Sequence, residues 1–360
     1  MKRFLSLTLL LMIIMMATAN LNITAAQEAN NLKIASPAGD PKDRNNNFYD
    51  NTDMYDLPVA TITIEGEIEN PGILDLSKLP LRTIITKEAL LKDEGGNRFV
   101  GAYRYDGYSL FDILENRILN KKNKEAYRPI IDLYVIIEND KGEKVVLSWG
   151  EIYYPNHLHE ILIASRVGRI VPSKTNDLWP LPSQGKLVVG NDLLTERNIS
   201  NPLKITVKSF SREIPVNRDL KPLYSGSIKI TKGSETLNSF SSPPKGLQKE
   251  TFNSIFYGRG RGIHSTTPFT GVLFSEIMRP SVKITSEQLK TGMIAVIGID
   301  GYRCIYSLSE VMNRNDQEEV LLVEGKADDG SGLYRLFPSC DFFSDRAIKA
   351  ISEVSLIKAE

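Results

Sequence analysis

The sequence predicts an α+β protein, mixed α/β in its elements, built as a tandem pair of related domains behind an export signal. Three observations predict it. Matching elements recur at a constant separation of 159 residues, from Ser148 to Ser307 and from Leu162 to Leu321. Two strand-turn-strand patterns each run into a Ser-x-x-Glu helix start. Two glycines, Gly107 and Gly271, are each followed by apolar residues at offsets of three, six and seven, the spacing of one helical face.

The amino terminus sets the compartment. Lys2 and Arg3 precede an apolar run from Phe4 to Met16, and small residues follow at Ala17-Thr18-Ala19 and Thr24-Ala25-Ala26. This pattern predicts a secretory signal peptide over residues 1–26, without the paired arginines of the route that carries folded proteins, and so a periplasmic or secreted chain. No later stretch approaches the roughly 20 apolar residues of a membrane span, so no transmembrane anchor is expected after signal removal. Residues 27–57 are polar, carry Asn45-Asn46-Asn47, and are expected to form a flexible leader.

Lys plus Arg and Asp plus Glu both number 44. That balance argues against a nucleic-acid partner and leaves an unknown small anion or protein partner as the expectation. A chain of 360 residues with 41% hydrophobic content suits two domains of ordinary size. The two cysteines, Cys304 and Cys340, form either one bridge or two separate buried thiols, since spacing alone does not bring their Cα atoms within reach.

The first domain is placed at residues 58–210. Alternation at Ile62 and Ile64 opens it, and Leu203, Ile205 and Val207 close it. Between them, Gly107 leads into a helix bearing Leu110, Ile113 and Leu114 on one face. A hairpin follows, Leu133 to Ile137, then Asp140-Lys141-Gly142, then Val145 to Leu147, because glycine tolerates the positive φ of such turns. Ser148 and Glu151 make a capping box, and Glu160 to Ala164 reads as a buried strand.

After a linker at residues 211–225, the second domain at residues 226–360 repeats the order. Ile228 and Ile230 open it; Phe274, Ile277 and Met278 follow Gly271; Asp300-Gly301 turns a hairpin; Ser307 and Glu310 form a second capping box; Glu319 to Val323 is a strand; and Val354 and Leu356 close it.

With that order established, the first copy resembles the molybdopterin-binding domain of the sulfite oxidase family. The likeness lies in Gly66-Glu67-Ile68-Glu69-Asn70-Pro71-Gly72, in Leu76 and Leu79, in the helix entry Tyr105-Asp106-Gly107-Tyr108-Ser109-Leu110, and in Gly142 to Glu151 with Ala164. The second copy resembles the family through Phe269-Thr270-Gly271 and Asp300-Gly301-Tyr302. The resemblance implies two sulfite-oxidase-like domains and a molybdenum held by one cysteine thiolate about a dozen residues before the helix entry. Counting back from Gly107 and Gly271 lands near Gly95 and Arg259, and neither neighbourhood contains a cysteine. No cofactor is therefore the leading expectation, with molybdopterin as the alternative.

Among candidate sites, the loop Gly258 to Pro268 carries three glycines, Arg259, Arg261, His264, Ser265, Thr266 and Thr267. Bare backbone N–H groups, forked guanidinium groups and hydroxyls are the donors an anion or ligand would use, and a solvated hairpin is the competing reading. His157 and His159 flank one residue, a spacing that puts two imidazoles on one strand face for a metal, or else marks a polar loop. Aromatic residues such as Tyr103, Tyr105, Trp149 and Trp179 gather in the first copy, either as core or as a stacking surface. The expected function is an exported, non-catalytic ligand- or partner-binding protein; the alternative is a molybdopterin-dependent periplasmic oxidoreductase or a subunit of a redox complex.

Overall fold

The computed structural model describes residue 49 and residues 52–92, 95–172, 174–316, 319–325 and 332–359. The expected signal peptide and most of the leader lie outside these. The chain divides into two compact units, residues 1–51 with 170–177, and residues 52–169 with 178–360. Within the first unit a turn is closed by the Asn176 N–H donating to the Pro172 carbonyl at 2.9 Å. All strands and helices among the described residues belong to the second.

The first half runs β1 (Met54–Asp56), β2 (Thr63–Gly66), β3 (Gly72–Ile73), β4 (Leu81–Leu91), β5 (Asn97–Ser109), α1 (Leu110–Glu115), β6 (Leu133–Asn139), β7 (Lys144–Ser148), α2 (Trp149–Tyr153), β8 (Ile161–Arg169), β9 (Lys186–Val189) and β10 (Pro202–Ser209). The end of the expected leader thus supplies β1, which pairs with β8. The second half runs β11 (Ile228–Lys232), β12 (Glu235–Phe240), β13 (Lys249–Phe252), β14 (Phe256–Gly258), β15 (Gly262–Ser265), β16 (Phe269–Leu273), α3 (Phe274–Met278), α4 (Ser286–Thr291), β17 (Gly292–Gly298), β18 (Arg303–Ser307), α5 (Leu308–Met312), β19 (Val320–Glu324), β20 (Tyr334–Pro338) and β21 (Ile351–Lys358).

These strands form four sheets of four or five strands and one two-stranded ribbon. The orders are β1-β8-β5-β4 with β9 also on β8, β3-β2-β10-β6-β7, β12-β11-β21-β17-β18, and β13-β16-β19-β20, with β14-β15 apart. Strand accounts for 44% of the structure and helix for 12%, a four-bladed, propeller-like β arrangement. The second and third sheets each contain one parallel pair, β2 with β10 and β11 with β21, which a plain up-and-down blade lacks.

The expected mixed α/β class and the tandem pair of sulfite-oxidase-like domains are therefore corrected. The reason lies in helix length. Capping signals mark where a helix starts and say nothing of its end; the helices they start here, α1, α2 and α5, run five or six residues. Each serves as a corner between strands. What recurs along the chain is a pattern of strand pairing inside one body, whose principal core takes Leu110, Trp149 and Ile205 from the first half and Phe274, Leu308 and Val354 from the second.

Local chemistry explains the corners. A Cβ on Gly107 would stand 2.3 Å from the Ile163 carbonyl oxygen, and one on Gly271 would stand 2.5 Å from that of Leu322, so only glycine lets β5 and β16 approach β8 and β19 this closely. Leu110, Ile113 and Leu114 of α1, and Phe274, Ile277 and Met278 of α3, are all buried. Burying side chains of this size contributes roughly 1.5–3 kcal/mol each.

The expected second capping box is only half made. The Ser148 hydroxyl accepts from the Glu151 N–H while the Glu151 carboxylate accepts from the Ser148 N–H, at 2.9 and 2.7 Å. Ser307 likewise accepts from the Glu310 N–H at 3.1 Å. The Glu310 carboxylate, however, turns to the first half, accepting from the Ser148 hydroxyl at 2.7 Å and pairing with Arg346.

That pairing belongs to a buried polar layer between the halves. Arg197 forks onto Asp192 at 2.7 and 2.8 Å and donates to Glu151 and to the Ser307 hydroxyl, each at 3.0 Å. Arg346 forks onto Asp341 at 2.6 and 2.7 Å and reaches Ser148 at 3.3 Å. Each arginine thus grips its own half's Asp and Glu and the other half's capping serine.

Cys304 and Cys340 are free, buried thiols, which removes the bridge from the two arrangements the sequence allowed.

Candidate functional site

The second half departs from the first at one hairpin. In the first half β4 and β5 pair from Leu81 opposite Tyr108 to Leu91 opposite Asn97, with a single register shift at Glu88 and Ala89. In the second half β13 and β16 pair over four residues only, from Lys249 opposite Val272 to Phe252 opposite Phe269. Residues 253–255 and 266–268 then leave the ladder, and the tip pairs by itself as β14 and β15. Pro268 has no N–H to give a ladder, and Asn253 and Ser254 favour local turns, which accounts for the break.

The detached ribbon packs on the segment Asp341 to Ala347. Tyr257 lies 5.6 Å from the Phe342 ring and 6.3 Å from that of Phe343, and Arg259 pairs with Asp345 at 2.8 Å. Phe256 meets Phe269 at 5.4 Å and Phe337 at 5.9 Å. Because side chains alternate along a strand, the ribbon presents two faces.

One face carries Tyr257 and Ile263 and borders a cleft of about 720 Å³, completed by Asn156, Asn253, Ile255, Thr266 and Phe342. Ile255, Ile263 and Phe342 are 62%, 67% and 52% exposed, and Tyr257 36%. Exposed apolar area gathered around a concavity is the kind of surface that binding sites are built from. The other face carries Phe256 and His264 and borders a hollow of about 320 Å³ with Ser265, Arg335, Ser344 and Lys349.

The residues singled out in the loop therefore part company. Arg259 is committed to Asp345, and Arg261 stands exposed at the tip. His264 and Ser265 enter the smaller hollow, and Thr266 the cleft. Thr267 is exposed, its N–H donating to the Ser265 hydroxyl at 3.0 Å. Sequence reasoning missed Arg335 and Lys349, which lie 71 and 85 residues beyond His264. It also missed Phe342, although Asp341-Phe342-Phe343-Ser344-Asp345-Arg346 matches Asp192-Leu193-Leu194-Thr195-Glu196-Arg197 type for type. The separation there is 149 residues rather than 159, which hides the match from a search at constant offset.

His157 and His159 lie in the bend and turn after α2 rather than on a strand. His157 is exposed. His159 Nδ1 lies 3.0 Å from the Ser109 hydroxyl and 3.7 Å from Asp112, and burial, with Arg82 next in effect, lowers its pKa. Among the described residues no group of three or more His, Cys, Asp and Glu side chains could hold a metal ion. Ser109, His159 and Asp112 do not make a hydrolytic relay, because hydroxyl and carboxylate address the same ring nitrogen and Ser109 is occupied capping α1. Tyr103, Tyr105 and Trp149 are core residues, each at most 4% exposed.

The chemistry of the two thiols does not suit molybdenum. Cys304 and Cys340 are 0% and 1% exposed, and burial pushes both well above the usual thiol range, so neither presents a thiolate to a cleft.

Among the described residues no helix is long and apolar enough to cross a membrane. The chain matches no protein-family model and no curated protein. Among solved structures it is similar to the sulfane dehydrogenase SoxCD from Paracoccus pantotrophus, at 10% identity over 83% of this chain and 78% of that one, with a TM-score of 0.28. A superposition that loose does not establish a shared fold.

Proposed function

We propose that this protein is an exported, non-catalytic binding module whose ligand site is the cleft beside the detached ribbon. The observation that carries the reading is the departure of the second half from its own repeated strand pairing, which leaves Ile255, Tyr257, Ile263 and Phe342 exposed around 720 Å³ of space. A ligand with an aromatic or aliphatic body fits these walls, and Asn156, Asn253 and Thr266 supply hydrogen bonds for its orientation. The occupation of the Ser109 hydroxyl in capping α1 and the burial of both thiols support binding over catalysis. Export rests on the apolar run Phe4 to Met16 behind Lys2 and Arg3.

The test is equilibrium titration of the purified mature chain with an environment-sensitive apolar fluorophore. Saturable enhancement is expected, and the double variant Tyr257→Ser with Ile263→Ser should abolish it while leaving the melting temperature within a few degrees, since both side chains are substantially exposed. Binding that is absent, or indifferent to the double variant, overturns the reading.

A further inference from the structure

The hollow on the opposite face of the ribbon has a different chemistry from the cleft. Its walls hold two permanent cations, Arg335 and Lys349, with the His264 ring and the hydroxyls of Ser265 and Ser344 between them. Among the described residues no carboxylate lines it. The acids nearest in the adjoining hollow of about 210 Å³, Asp300 and Asp345, are already paired, with Arg218 at 2.9 Å and Arg259 at 2.8 Å. Lys349 faces both hollows, and neither it nor His264 has an ion-pair or hydrogen-bond partner among the described residues.

Two features fix the donors in place. Arg335 lies over the rings of Phe256 and Phe269, at 5.6 and 5.2 Å, which orients its guanidinium group. Gly258 lets the His264 ring lie against the ribbon backbone. A Cβ there would stand 2.4 Å from His264 Nε2 and 3.3 Å from the Ser344 hydroxyl oxygen, so these two groups converge on one point of the wall.

We propose that this hollow is an oxyanion site that takes a tetrahedral group of the phosphate or sulfate kind. Arg335 and Lys349 supply the charge, and His264, Ser265 and Ser344 the directed hydrogen bonds. The assignment differs from the one the loop sequence suggests, because Arg259 is spent on Asp345 and Arg261 lies at the tip, outside the hollow.

The experiment is calorimetric titration of the full mature chain with inorganic phosphate, with sulfate, and with glycerol phosphate as an ester, at ionic strength held constant with chloride. Saturable binding of at least one is expected. Tighter binding of the ester identifies an esterified ligand, and tighter binding of an inorganic ion identifies a free one. Lys349→Ala, at an exposed position, should weaken binding about tenfold, as should Gly258→Ala by displacing the imidazole. Arg261→Ala and Tyr257→Ala should leave it unchanged; the second separates this site from the apolar cleft. Heats no larger than those of the chloride control, or equal weakening by Arg261→Ala and Lys349→Ala, overturn the proposal.

Discussion

Arg197 and Arg346 are 1% and 0% exposed, each with two carboxylates and one serine around it. Such clusters contribute little net stability, since removing charges from water offsets most of their attraction, yet deleting one member leaves a buried charge alone at a cost of roughly 3–5 kcal/mol. The carboxylates therefore set the response to pH. Desolvation raises Glu151 from 4.5 to about 7, against the pull of Arg197 and with the help of Glu310. A folded-state pKa above the unfolded one means that the folded chain holds the proton more tightly. The associated stability is fully present below pH 4.5 and is lost as pH rises through about 7. Urea unfolding across that window should show stability falling with pH, by on the order of 1–3 kcal/mol for this group. Glu151→Gln should flatten the slope, and an unchanged slope would rule Glu151 out as its source. Glu143 beside Lys290 and Glu353 beside Arg212 are held low and act below pH 4.5, whereas burial raises Asp192 and Asp341 of the same layer, which add to the slope with the same sign.

At the scale of elements, the ribbon β14-β15 differs from the corresponding hairpin by losing its neighbours. β5 is flanked by β4 and β8, whereas β14 and β15 pair only with each other. Two-stranded ribbons are marginal by themselves, so local opening is easy. Hydrogen exchange should release the amides of residues 256–265 at least about tenfold faster than those of residues 101–108. Equal protection would mean that the ribbon is held as firmly as the sheets and would weaken its reading as a ligand-facing element. The same contrast shows what the sequence made legible. Alternation at Ile62 and Ile64 and the turn Asp300-Gly301 located β2 and the β17-β18 hairpin, because period and turn chemistry are local. Ser148 and Ser307 located helix starts for the same reason. Helix length, the turning of Glu310 toward Arg346, and the meeting of His264 with Arg335 and Lys349 depend on distant partners, and no local pattern records them. Of the two readings the sequence left open for the histidine pair, the polar loop is the one the backbone follows, with His157 in a bend and His159 in a turn after the Pro155 bridge to Asp341.

For the whole molecule, the contacts between the halves decide whether either can stand alone. The Leu193 N–H donates to the Asn313 carbonyl at 2.8 Å, and at the matching place the Phe342 N–H donates to that of Tyr154 at 2.7 Å. The Ile305 N–H donates to the Ile131 carbonyl at 2.9 Å, joining the second-half strand β18 to the first half. Without residues 226–359, Arg197 loses the Ser307 hydroxyl, the Ser148 hydroxyl loses Glu310, and core side chains such as Trp149 and Leu147 lose part of their packing. The converse cut strands Arg346 without Ser148. The cost falls on both fragments: buried charge is exposed to imperfect pairing, and a shared core of apolar side chains opens to water at roughly 25 cal/mol per Å². Residues 52–210 and 226–359 produced separately should therefore lack a cooperative melt by circular dichroism, and the two produced together should recover one. The intact chain should unfold in a single transition, with fluorescence of Trp149 and Trp179 in the first half coinciding with the far-ultraviolet signal of both. A cooperative melt from either fragment alone would show that the buried polar layer joins two independent domains rather than completing one.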